Sequence, residues 1–580
     1  MKSTPRRAAL LATSALLIAG YGAVLARPDA HERAATLAQL LQPTGAPALA
    51  VAERDDRDLG PVAGTRALTA TLTLRQRNQV RLNSVLAQGG RVTPGQWAVS
   101  YGPSRAEAAV VQRALARYGI ASSWQPGEVS LTVSAPAAAL ERFFRVHIDQ
   151  FAPRTGRGGT FYAPTTAPAV PPGLAHEVAA VTGLDDYQRP IVAAIAGANG
   201  VTMAQMTTFY NLSPLRDAGL DGKGMTVLFP EWAIPDSTSL KEFATRFGLP
   251  AFNLTEVTDP SVWGAPATLA NSGNGYYDIA SEAAMDVEIV HGLAPGAKEI
   301  VYALGTETEL PAMLKAMVTA HPGAIISSSI SMHWCEDEPG AKNDALAEDA
   351  VFTQGAAEGM SIFFAAGDRG AYGCLPNSEP STESELAVEP DASSPHVTSV
   401  GGTMMFLSST GAYYKEAAWG EPIEQWGGGG GQSTIFPRPS WQTGPGTNTL
   451  TARGDPDVAA DADIESGWDV IVPTQNGPFE GPSGGTSAAT PFWAACTALI
   501  DEYLQQKGLQ TVGFANPALY YFATSPKGLP AAPFHQITQG SNLHFQATAQ
   551  WNEATGLGSP DVAHLADDFA WYDSTHRKGA

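Results

Sequence analysis

Between residues 225 and 365, nearly continuous apolar segments of strand length alternate with segments of helical periodicity. The strand-like segments are residues 225–229, 299–304, 324–329 and 361–365, and the helical ones are 281–292, 310–320 and 342–359. Strands that are apolar along their whole length are buried on both faces, and strands separated by helices run parallel. The pattern therefore predicts an α/β domain with a mainly parallel sheet and helices on both faces. In such sheets the chemistry lies beyond the carboxyl ends of the strands.

Residues 484–491, with the sequence Gly-Gly-Thr-Ser-Ala-Ala-Thr-Pro, lead directly into the apolar run 492–504. This order places Ser487 at the N-terminus of a predicted helix. Free backbone N–H groups and the positive end of the helix dipole gather there, so a serine hydroxyl has oxyanion donors beside it. The alternative is that Thr486 or Ser487 only caps the helix, which is the commoner use of these residues before an apolar run.

Acidic residues at two further positions favour the catalytic interpretation. Glu282 and Asp286 are spaced i, i+4 with apolar neighbours, which puts both carboxylates on one face of a helix. Because the flanking residues are apolar and like charges repel at this spacing, we expect partial burial and a shared proton; the alternative is a solvated acidic face. Asp368 follows the strand-like segment 361–365 and lies between two glycines, as a site residue or as a turn residue.

The N-terminus is typical of a secretory signal peptide over residues 1–26, because Lys2, Arg6 and Arg7 precede an apolar run and a small-residue exit. That run approaches the roughly 18 residues that allow membrane spanning, so a retained anchor is the alternative. No later segment has the pattern of a membrane span. Residues 27–65 are rich in Ala, Pro and charge without a clear period, which indicates a linker. We expect a secreted or periplasmic protein.

Residues 66–186 show the element order of a small α+β domain of ferredoxin-like type. The predicted elements are strand 68–74, helices 77–86 and 104–118, strand 129–133, helix 137–144 and short strands around 147–151 and 160–162. No cluster of Cys, His or acidic residues suggests a site there. A folded unit without chemistry of its own, ahead of a candidate hydrolase, is interpreted as an inhibitory and folding-assisting propeptide. Residues 187–200 are then a cleavable linker, and residues 201–575 the catalytic domain.

Eight short stretches in the second domain form a specific pattern: residues 282–288 (EAAMDVE), 293–297 (LAPGA), 365–368 (AAGD), 400–403 (VGGT), 429–433 (GGGQS), 439–442 (PSWQ), 456–459 (PDVA) and 485–487 (GTS). With these motifs the chain resembles the sedolisin family of serine-carboxyl peptidases, of the pro-kumamolisin type. The resemblance covers nearly all of residues 201–570. Residues 66–186, ending near the sequence VTGLD, resemble the activation propeptide of the same family.

The resemblance implies a role for each acidic position. Ser487 would be the nucleophile, Glu282 the general base and Asp286 the residue that orients Glu282, while Asp368 would complete the oxyanion hole. A carboxylate base is ionised in mildly acidic water, where a histidine would be protonated and unable to accept a proton. The expected protein is a secreted, acid-active serine-type endopeptidase, made as an autoactivating zymogen whose propeptide acts as an intramolecular inhibitor.

Two other interpretations of this domain remain open at this point, one catalytic and one not. A subtilisin-like Ser/His/Asp protease would need Asp, His and Ser in that order, but the strand end where the Asp would stand carries Glu231. His291 is interpreted as a packed or capping histidine. The other alternative is a catalytically silent sedolisin-fold binding protein. Residues 329–334 (SISMHW) depart from the family's Ser-Ile-Ser, aromatic, Gly pattern. This departure indicates an altered cleft, and the alternative is that Met332 only serves helix and strand packing.

A binding protein of another class is suggested by Arg453, Gly454 and Asp455, which form an adhesion tripeptide. Motifs of three residues have a high false-positive rate, and the resemblance makes this stretch a structural loop.

The calcium site of the family is degraded in this chain. The family uses two Asp carboxylates and backbone carbonyls near the C-terminus, whereas this chain has Gln536, followed by Ile537, and Asn552. Calcium prefers six to eight oxygens with negative charge among them. We therefore expect no metal and no other cofactor.

The charge balance limits the partners, since 57 acidic and 35 basic residues give a formal net charge of −22. Such a charge argues against nucleic-acid binding. We expect a monomer that acts on protein or peptide substrates. Of the three cysteines, Cys335 and Cys374 can pair in an oxidising compartment, which leaves Cys496 as a small core residue.

Overall fold

The structure is a computed structural model that describes residues 57–152, 160–166, 168–186, 200–273, 275–305, 310–331, 333, 335–338, 340–374, 386–422 and 425–576. The predicted signal peptide and nearly all of the predicted cleavable linker lie outside the described residues. Within the described part, no helix combines the length and apolar character needed to cross a membrane.

Residues 57–186 form an α+β unit. Its elements in chain order are β1 (Arg57–Pro61), β2 (Ala67–Leu74), α1 (Gln79–Ala87), α2 (Pro94–Ser100), α3 (Arg105–Ala116), β3 (Ser130–Pro136), α4 (Ala137–Phe144), β4 (Ile148–Ala152), β5 (Phe161–Pro164) and β6 (Val178–Thr182). Strands β1, β4 and β5 make one antiparallel sheet, and β3, β2 and β6 make the other.

Strand β2 lies between β3 and β6 and runs antiparallel to both, which is the arrangement of the first, third and fourth strands of the ferredoxin-like motif. The second strand of that motif would lie within residues 117–129, but these residues form no strand. Pro126 within them has no N–H to donate to the hydrogen-bond ladder of a strand. Strand β1 falls inside the predicted linker and pairs with β4. Helix α2 was also not predicted; it begins at Pro94 behind a capping box made by Thr93.

Residues 200–576 form the second unit. Its elements in chain order are α5 (Met203–Phe209), α6 (Ser213–Asp217), β7 (Thr226–Glu231), α7 (Ser237–Phe247), β8 (Leu254–Val257), α8 (Leu269–Ser272), α9 (Gly275–Leu293), β9 (Lys298–Ala303), α10 (Leu310–Ala320), β10 (Ile325–Ser328), α11 (Ala341–Ala357), β11 (Ser361–Ala365), β12 (Thr398–Leu407), β13 (Tyr413–Ala418), β14 (Gly420–Glu421), β15 (Trp426–Gly427), β16 (Gly431–Pro437), β17 (Ala452–Asp455), β18 (Val458–Asp461), β19 (Trp468–Thr474), β20 (Gly477–Ser483), α12 (Thr486–Gln506), α13 (Asn516–Ala523), β21 (Phe534–His535), β22 (Ser559–Pro560) and α14 (Val562–His576).

The central sheet has eight strands in the order β13-β12-β11-β10-β7-β9-β8, with β18 also paired to β12. Every pairing is parallel except that of β12 with β13. All residues of β10 and β11 are buried, so both faces of the sheet are covered. Helix α9 packs against α12, and α10 packs against α11. The predicted α/β fold with a mainly parallel sheet is confirmed.

A disulfide joins Cys335 to Cys374, and Cys496 is a free, buried thiol in α12. The bond links the segment after β10 to the segment after β11. Both segments lie at the carboxyl ends of parallel strands, where the site residues are found.

Candidate active site

Ser487 is the second residue of α12 and only 5% exposed. Gly485 precedes the helix with a φ of +87°, in the left-handed region that favours glycine. A Cβ at Gly485 would lie 2.6 Å from Asp368 Oδ2, so this position has no room for a side chain. The helix N-terminus predicted for Ser487 is confirmed, and the backbone geometry brings Asp368 close to it.

Pro491 lies inside α12, four residues after Ser487. A proline has no N–H, so the i→i−4 hydrogen bond that would end on the Ser487 carbonyl cannot form. Instead, Ser329 Oγ lies 3.0 Å from that carbonyl oxygen and 2.7 Å from Asp286 Oδ2. Ser329 therefore connects the serine helix α12 to the acidic helix α9.

Three buried carboxyl groups form a cluster beside this contact. Glu282 and Asp286 lie on α9, and Glu231 is the last residue of β7; they are 3%, 0% and 1% exposed. Burial raises the pKa of Asp286 well above its usual value, and the neighbouring Glu282 raises it further. Burial likewise raises the pKa of Glu231, with added repulsion from Asp286 and Glu282. We name these three residues the carboxyl cluster.

The surroundings of the carboxyl cluster disfavour charge on all of its members at once. Glu231 and Asp286 lie close enough to influence each other, and Glu282 raises the pKa of both. Both Glu231 oxygens and Asp286 Oδ1 meet no N–H or hydroxyl donor among the described residues. Because neighbouring buried carboxylates repel, we expect a proton to be shared within the cluster. The Ser329 hydroxyl has one proton, which it can donate to Asp286 Oδ2 or to the Ser487 carbonyl.

Asp368 follows β11 and is 7% exposed. Its Oδ1 accepts hydrogen bonds from Thr486 N at 2.7 Å and from Thr486 Oγ1 at 2.8 Å. Burial raises the pKa of Asp368, while the Thr486 hydrogen bonds and the Arg369 charge oppose the rise. Because Oδ1 already accepts two bonds, a proton belongs on Oδ2, which faces Gly485 next to the start of α12. A protonated Asp368 can then donate a hydrogen bond.

Glu389 is a second buried carboxyl beside Asp368. Burial raises its pKa well above its usual value, Asp368 raises it further, and the Ser331 side chain hydrogen-bonds to it. A Cβ on Gly367 would overlap the Glu389 carboxyl. Sequence reasoning missed Glu389, because it lies in a loop without a pattern. It also assigned no role to Glu231, although an acid that ends an apolar strand was a usable signal.

His291 is fully buried, with Nε2 2.8 Å from the carbonyl oxygen of Pro250 and its ring stacked on Phe252 at 3.8 Å. It is a packed histidine. The subtilisin-like arrangement lacks support in the described residues, since the helix where its histidine would stand carries Glu282 and Asp286.

The adhesion interpretation is wrong. Arg453 and Asp455 are both 0% exposed. The guanidinium of Arg453 pairs with Asp457, with Nη2 2.6 Å from Oδ2. An adhesion tripeptide must reach its receptor from the surface, and these side chains cannot.

At the predicted degraded calcium site, hydrogen bonds to neighbouring oxygens hold the Asn552 side chain. The Asn552 amide group donates from Nδ2 to the carbonyl oxygens of Thr548 at 3.2 Å and Gln550 at 2.9 Å, and lies 3.2 Å from Thr555 Oγ1. These oxygens are the type of ligand that Ca²⁺ would take. The Gln536 side chain is exposed. No group of three or more metal-binding side chains occurs among the described residues.

The family of Pro-kumamolisin activation domains matches residues 55–187, and the subtilase family matches residues 268–513. Kumamolisin from Bacillus sp. (strain MN-32) is 30% identical over 540 residues, covering 87% of this chain and 92% of its own. Sedolisin from Pseudomonas sp. (strain 101) is 26% identical over 541 residues, covering 87% and 86%. Tripeptidyl-peptidase 1 from Bos taurus is 26% identical over 418 residues, covering 68% and 69%.

Among solved structures, Pseudomonas sedolisin in complex with pseudo-iodotyrostatin superposes with a TM-score of 0.55 at 27% identity. The superposition covers 66% of this chain and all of that one. Together with the coverage of kumamolisin, it accounts for the fold. The chain therefore belongs to the sedolisin family of serine-carboxyl peptidases, with an activation domain ahead of its subtilisin-like peptidase domain.

Proposed function

We propose that this serine peptidase is an acid-active endopeptidase whose nucleophile is Ser487. The observation that carries the proposal is the buried carboxyl cluster, which reaches the serine helix through Ser329. Among the described residues, the groups that shift the pKa of Asp286 and Glu231 are carboxyls and a serine rather than a histidine. A base of this kind works in acid, where imidazole is protonated.

In the proposed reaction Glu282 takes the proton from Ser487 Oγ as the oxygen bonds to the carbonyl carbon of the scissile peptide. The Ser487 backbone N–H and the Asp368 carboxyl donate to the developing oxyanion. Glu282 then returns the proton to the leaving amine, and the acyl-serine forms. Water attacks the acyl group by the same steps, with Glu282 again as the base. Asp286 holds Glu282 in place and shares its proton.

The pH dependence follows from the two carboxyl roles. Glu282 has to be ionised, so activity falls in strong acid. Asp368 has to be protonated, and burial raises its pKa. Activity should therefore persist until the pH rises through the pKa of Asp368, and should fall above it.

The first experiment measures hydrolysis of an unstructured protein between about pH 2 and 8, a window that brackets carboxyl and imidazole titrations. Wild type is compared with Ser487→Ala and Asp368→Asn. Acid-peaked activity that disappears in Ser487→Ala supports the proposal, and Asp368→Asn should lose roughly 10²- to 10³-fold in kcat. An activity maximum above neutrality would contradict the role of Asp368. A processed wild-type protein without activity would favour the catalytically silent alternative.

The endopeptidase assignment is part of the proposal, and its alternative is an exopeptidase that releases tripeptides, because a tripeptidyl-peptidase is among the relatives. The test uses a peptide with and without an acetylated N-terminus and identifies the products by mass spectrometry. Internal cleavage of both peptides supports an endopeptidase. Release of tripeptides from the free peptide alone would show an exopeptidase.

Export and autoactivation belong to the same proposal, supported by the basic and apolar N-terminus and by the activation domain. Sequencing the N-terminus of acid-treated protein tests them. A new start between residues 187 and 201 is expected in wild type and not in Ser487→Ala. A start near residue 27 that persists in acid would contradict autoactivation.

Calcium independence is a further part of the proposal, supported by the Asn552 amide lying among the oxygens that would hold the ion. The test is the melting temperature with a calcium chelator and with added Ca²⁺. We expect the same melting temperature in both conditions. A large loss in chelator that Ca²⁺ restores would refute it, and Asn552→Asp is the matched variant in which a Ca²⁺ response can appear.

A further inference from the structure

Residues 329–338, which we name the site segment, follow β10 and reach both acidic groups of the site. The first of them, Ser329, lies with its Oγ 2.7 Å from Asp286 Oδ2 and 3.0 Å from the Ser487 carbonyl oxygen. Ser331 follows two residues later and adjoins the buried carboxyl that neighbours the oxyanion-hole residue. The positions of these two serines therefore depend on how the site segment is held.

The far end of the site segment is held by a covalent bond and by hydrogen bonds. Cys335 forms the disulfide with Cys374. The next residue, Glu336, accepts hydrogen bonds from Ser393 Oγ at 2.7 Å and from Thr434 Oγ1 at 2.8 Å. These contacts lie beyond the two serines of the site, so they leave open what holds the part of the segment between the serines and the disulfide.

His333 holds this middle part. Its Nε2 lies 2.7 Å from Asp344 Oδ2, and its Nδ1 lies 3.4 Å from Glu338 Oε2. Its carbonyl oxygen accepts a hydrogen bond from Ser331 Oγ at 2.8 Å. In the family's Ser-Ile-Ser, aromatic, Gly pattern, this histidine stands at the glycine. The imidazole and its two contacts are therefore a feature of this chain.

Asp344 makes the start of α11 the anchor for this histidine. It lies in the first turn of the helix, where the positive end of the helix dipole favours a carboxylate. Gly340 directly precedes the helix, and a Cβ there would lie 3.5 Å from His333 Cε1. The imidazole ring therefore packs against the beginning of α11. We name His333, Glu338 and Asp344 the histidine clamp.

The geometry of the clamp favours a charged ring, because both ring nitrogens face carboxyl oxygens. A neutral imidazole has one N–H donor, whereas an imidazolium has two. Burial lowers the pKa of His333, but the hydrogen bonds and charges of Asp344 and Glu338 outweigh it and leave that pKa well above its usual value. Glu348, further along α11, is near Asp344, and burial raises its pKa well above the usual value.

The clamp is closed in the acid range of the proposed activity. A histidine with a raised folded pKa contributes stability that is fully present below about pH 6.5, its value in an unfolded chain. This contribution is lost only as the pH rises through the raised pKa of the folded protein.

We propose that His333, as an imidazolium, is a positioning residue of the peptidase site. It fastens the site segment to α11, and so holds Ser329 against Asp286 and the Ser487 carbonyl and holds Ser331 in its place. Where this inference concerns kcat, it rests on the proposed function.

The first test measures hydrogen exchange at about pH 5 in the full-length chain carrying Ser487→Ala. His333→Gln removes the charge, and exchange of the amides in residues 325–331 should become about tenfold faster, the equivalent of one charged hydrogen bond. His333→Arg keeps a charged donor at every pH and should restore most of the protection. Unchanged exchange in His333→Gln, or equally fast exchange in His333→Arg, would overturn the proposal.

His396→Gln is the matched control. His396 pairs with Asp349 of the same helix at 2.7 Å, but it precedes β12 and lies outside the site segment. This variant should leave the exchange of residues 325–331 at the parent rate. Exchange in β9 serves as the internal control for folding, and its protection should persist in every variant. An equal effect of His396→Gln on residues 325–331 would show a general loosening of α11 and overturn the specific role.

The charge state is tested by NMR of the histidine Cε1–H signals in the same chain, with the His333 signal assigned by its loss in His333→Gln. Its pKa should lie above the usual value. Asp344→Asn should lower this pKa, and Glu338→Gln should lower it by less, because that contact is longer. A His333 pKa at or below about 6.5 would overturn the imidazolium.

The consequence for catalysis is measured on processed enzyme that retains Ser487, in the acid range. His333→Gln should lower kcat by about tenfold, with a smaller effect on KM, and His333→Arg should restore most of it. A kcat equal to that of wild type in His333→Gln would overturn the positioning role. A wild-type enzyme without activity at any pH would contradict the proposed function instead, and the exchange and NMR results would still decide whether the clamp holds the site segment.

Discussion

The pKa of Asp368 results from opposing influences that a single substitution can separate. Burial raises it, and the two hydrogen bonds from Thr486 lower it by stabilising the carboxylate. Thr486→Val removes the hydroxyl bond and should raise the pKa further. The protonated form would then persist to higher pH, and the alkaline limb of kcat/KM should move up by about 0.7 pH unit, which is the equivalent of a hydrogen bond of about 1 kcal/mol. Thr486→Ser keeps the hydroxyl and should leave the limb in place; a downward shift in Thr486→Val would contradict the sign.

Glu231 adds a third carboxyl to a site that needs one ionised base. Glu231→Gln removes a carboxyl that can carry a negative charge beside Asp286 and Glu282. With less repulsion, the base Glu282 should ionise more easily. The acid limb of kcat/KM should therefore move to lower pH. Glu288→Gln is the matched control. Glu288 is a buried carboxyl on α9, the helix that carries Glu282 and Asp286, and it accepts a hydrogen bond from Ile471 N at 2.7 Å. An equal shift in both variants would show a general charge effect and contradict a specific role for Glu231.

The start of α12 combines a helix with an interruption in its hydrogen-bond ladder. Pro491→Ala restores an N–H that can bond to the Ser487 carbonyl and compete with Ser329. The helix should become more stable, because an interior proline costs up to about 3 kcal/mol, while kcat should fall as the Ser329 contact weakens. Thermal unfolding and kcat, measured on the same preparation, check the two expectations.

A double-mutant cycle with Ser329→Ala shows whether Pro491 acts through that serine. Both single variants should lower kcat, and the double variant should lower it by less than the product of the two effects. Fully independent effects would mean that Pro491 acts elsewhere.

The whole molecule shows which features local sequence determines. Helix α10 and strand β11 have the predicted bounds because their apolar periodicity is local, and α9 places its two acids on one face for the same reason. Glu231 had a local signal, because it is an acid that ends an apolar strand, but its approach to Asp286 depends on tertiary packing. Glu389 had no such signal and comes close to Asp368 only in the folded chain. The hydrogen bond between Arg91 and Thr511 was equally out of reach of sequence reasoning, since these residues are 420 positions apart. Motif spacing predicted the catalytic residues, and tertiary contacts placed further buried carboxyls beside them.

Across the peptidase domain, buried carboxyls should make the fold more stable in acid than near neutrality. Burial raises the pKa of Glu416, Asp455 and Asp568 to about 7 in each case, against about 4 in an unfolded chain. A carboxyl with a raised folded pKa contributes stability that is fully present below about pH 4 and is lost as the pH rises through about 7. The free energy of unfolding should therefore fall between these values.

Thermal unfolding of the Ser487→Ala chain, which cannot digest itself if Ser487 is the nucleophile, tests this at pH 4 and pH 8. The melting temperature should be several degrees higher at pH 4. The Asp455→Asn side chain is neutral at both pH values, since an amide has no ionised form to bury. This variant should therefore have a smaller difference in melting temperature between pH 4 and pH 8. Glu242→Gln, at an exposed position on α7, should not narrow it. A higher melting temperature at pH 8 would mean that repulsion among protonated basic groups outweighs the burial of carboxylates, and the acid preference would then lie in the catalytic groups alone.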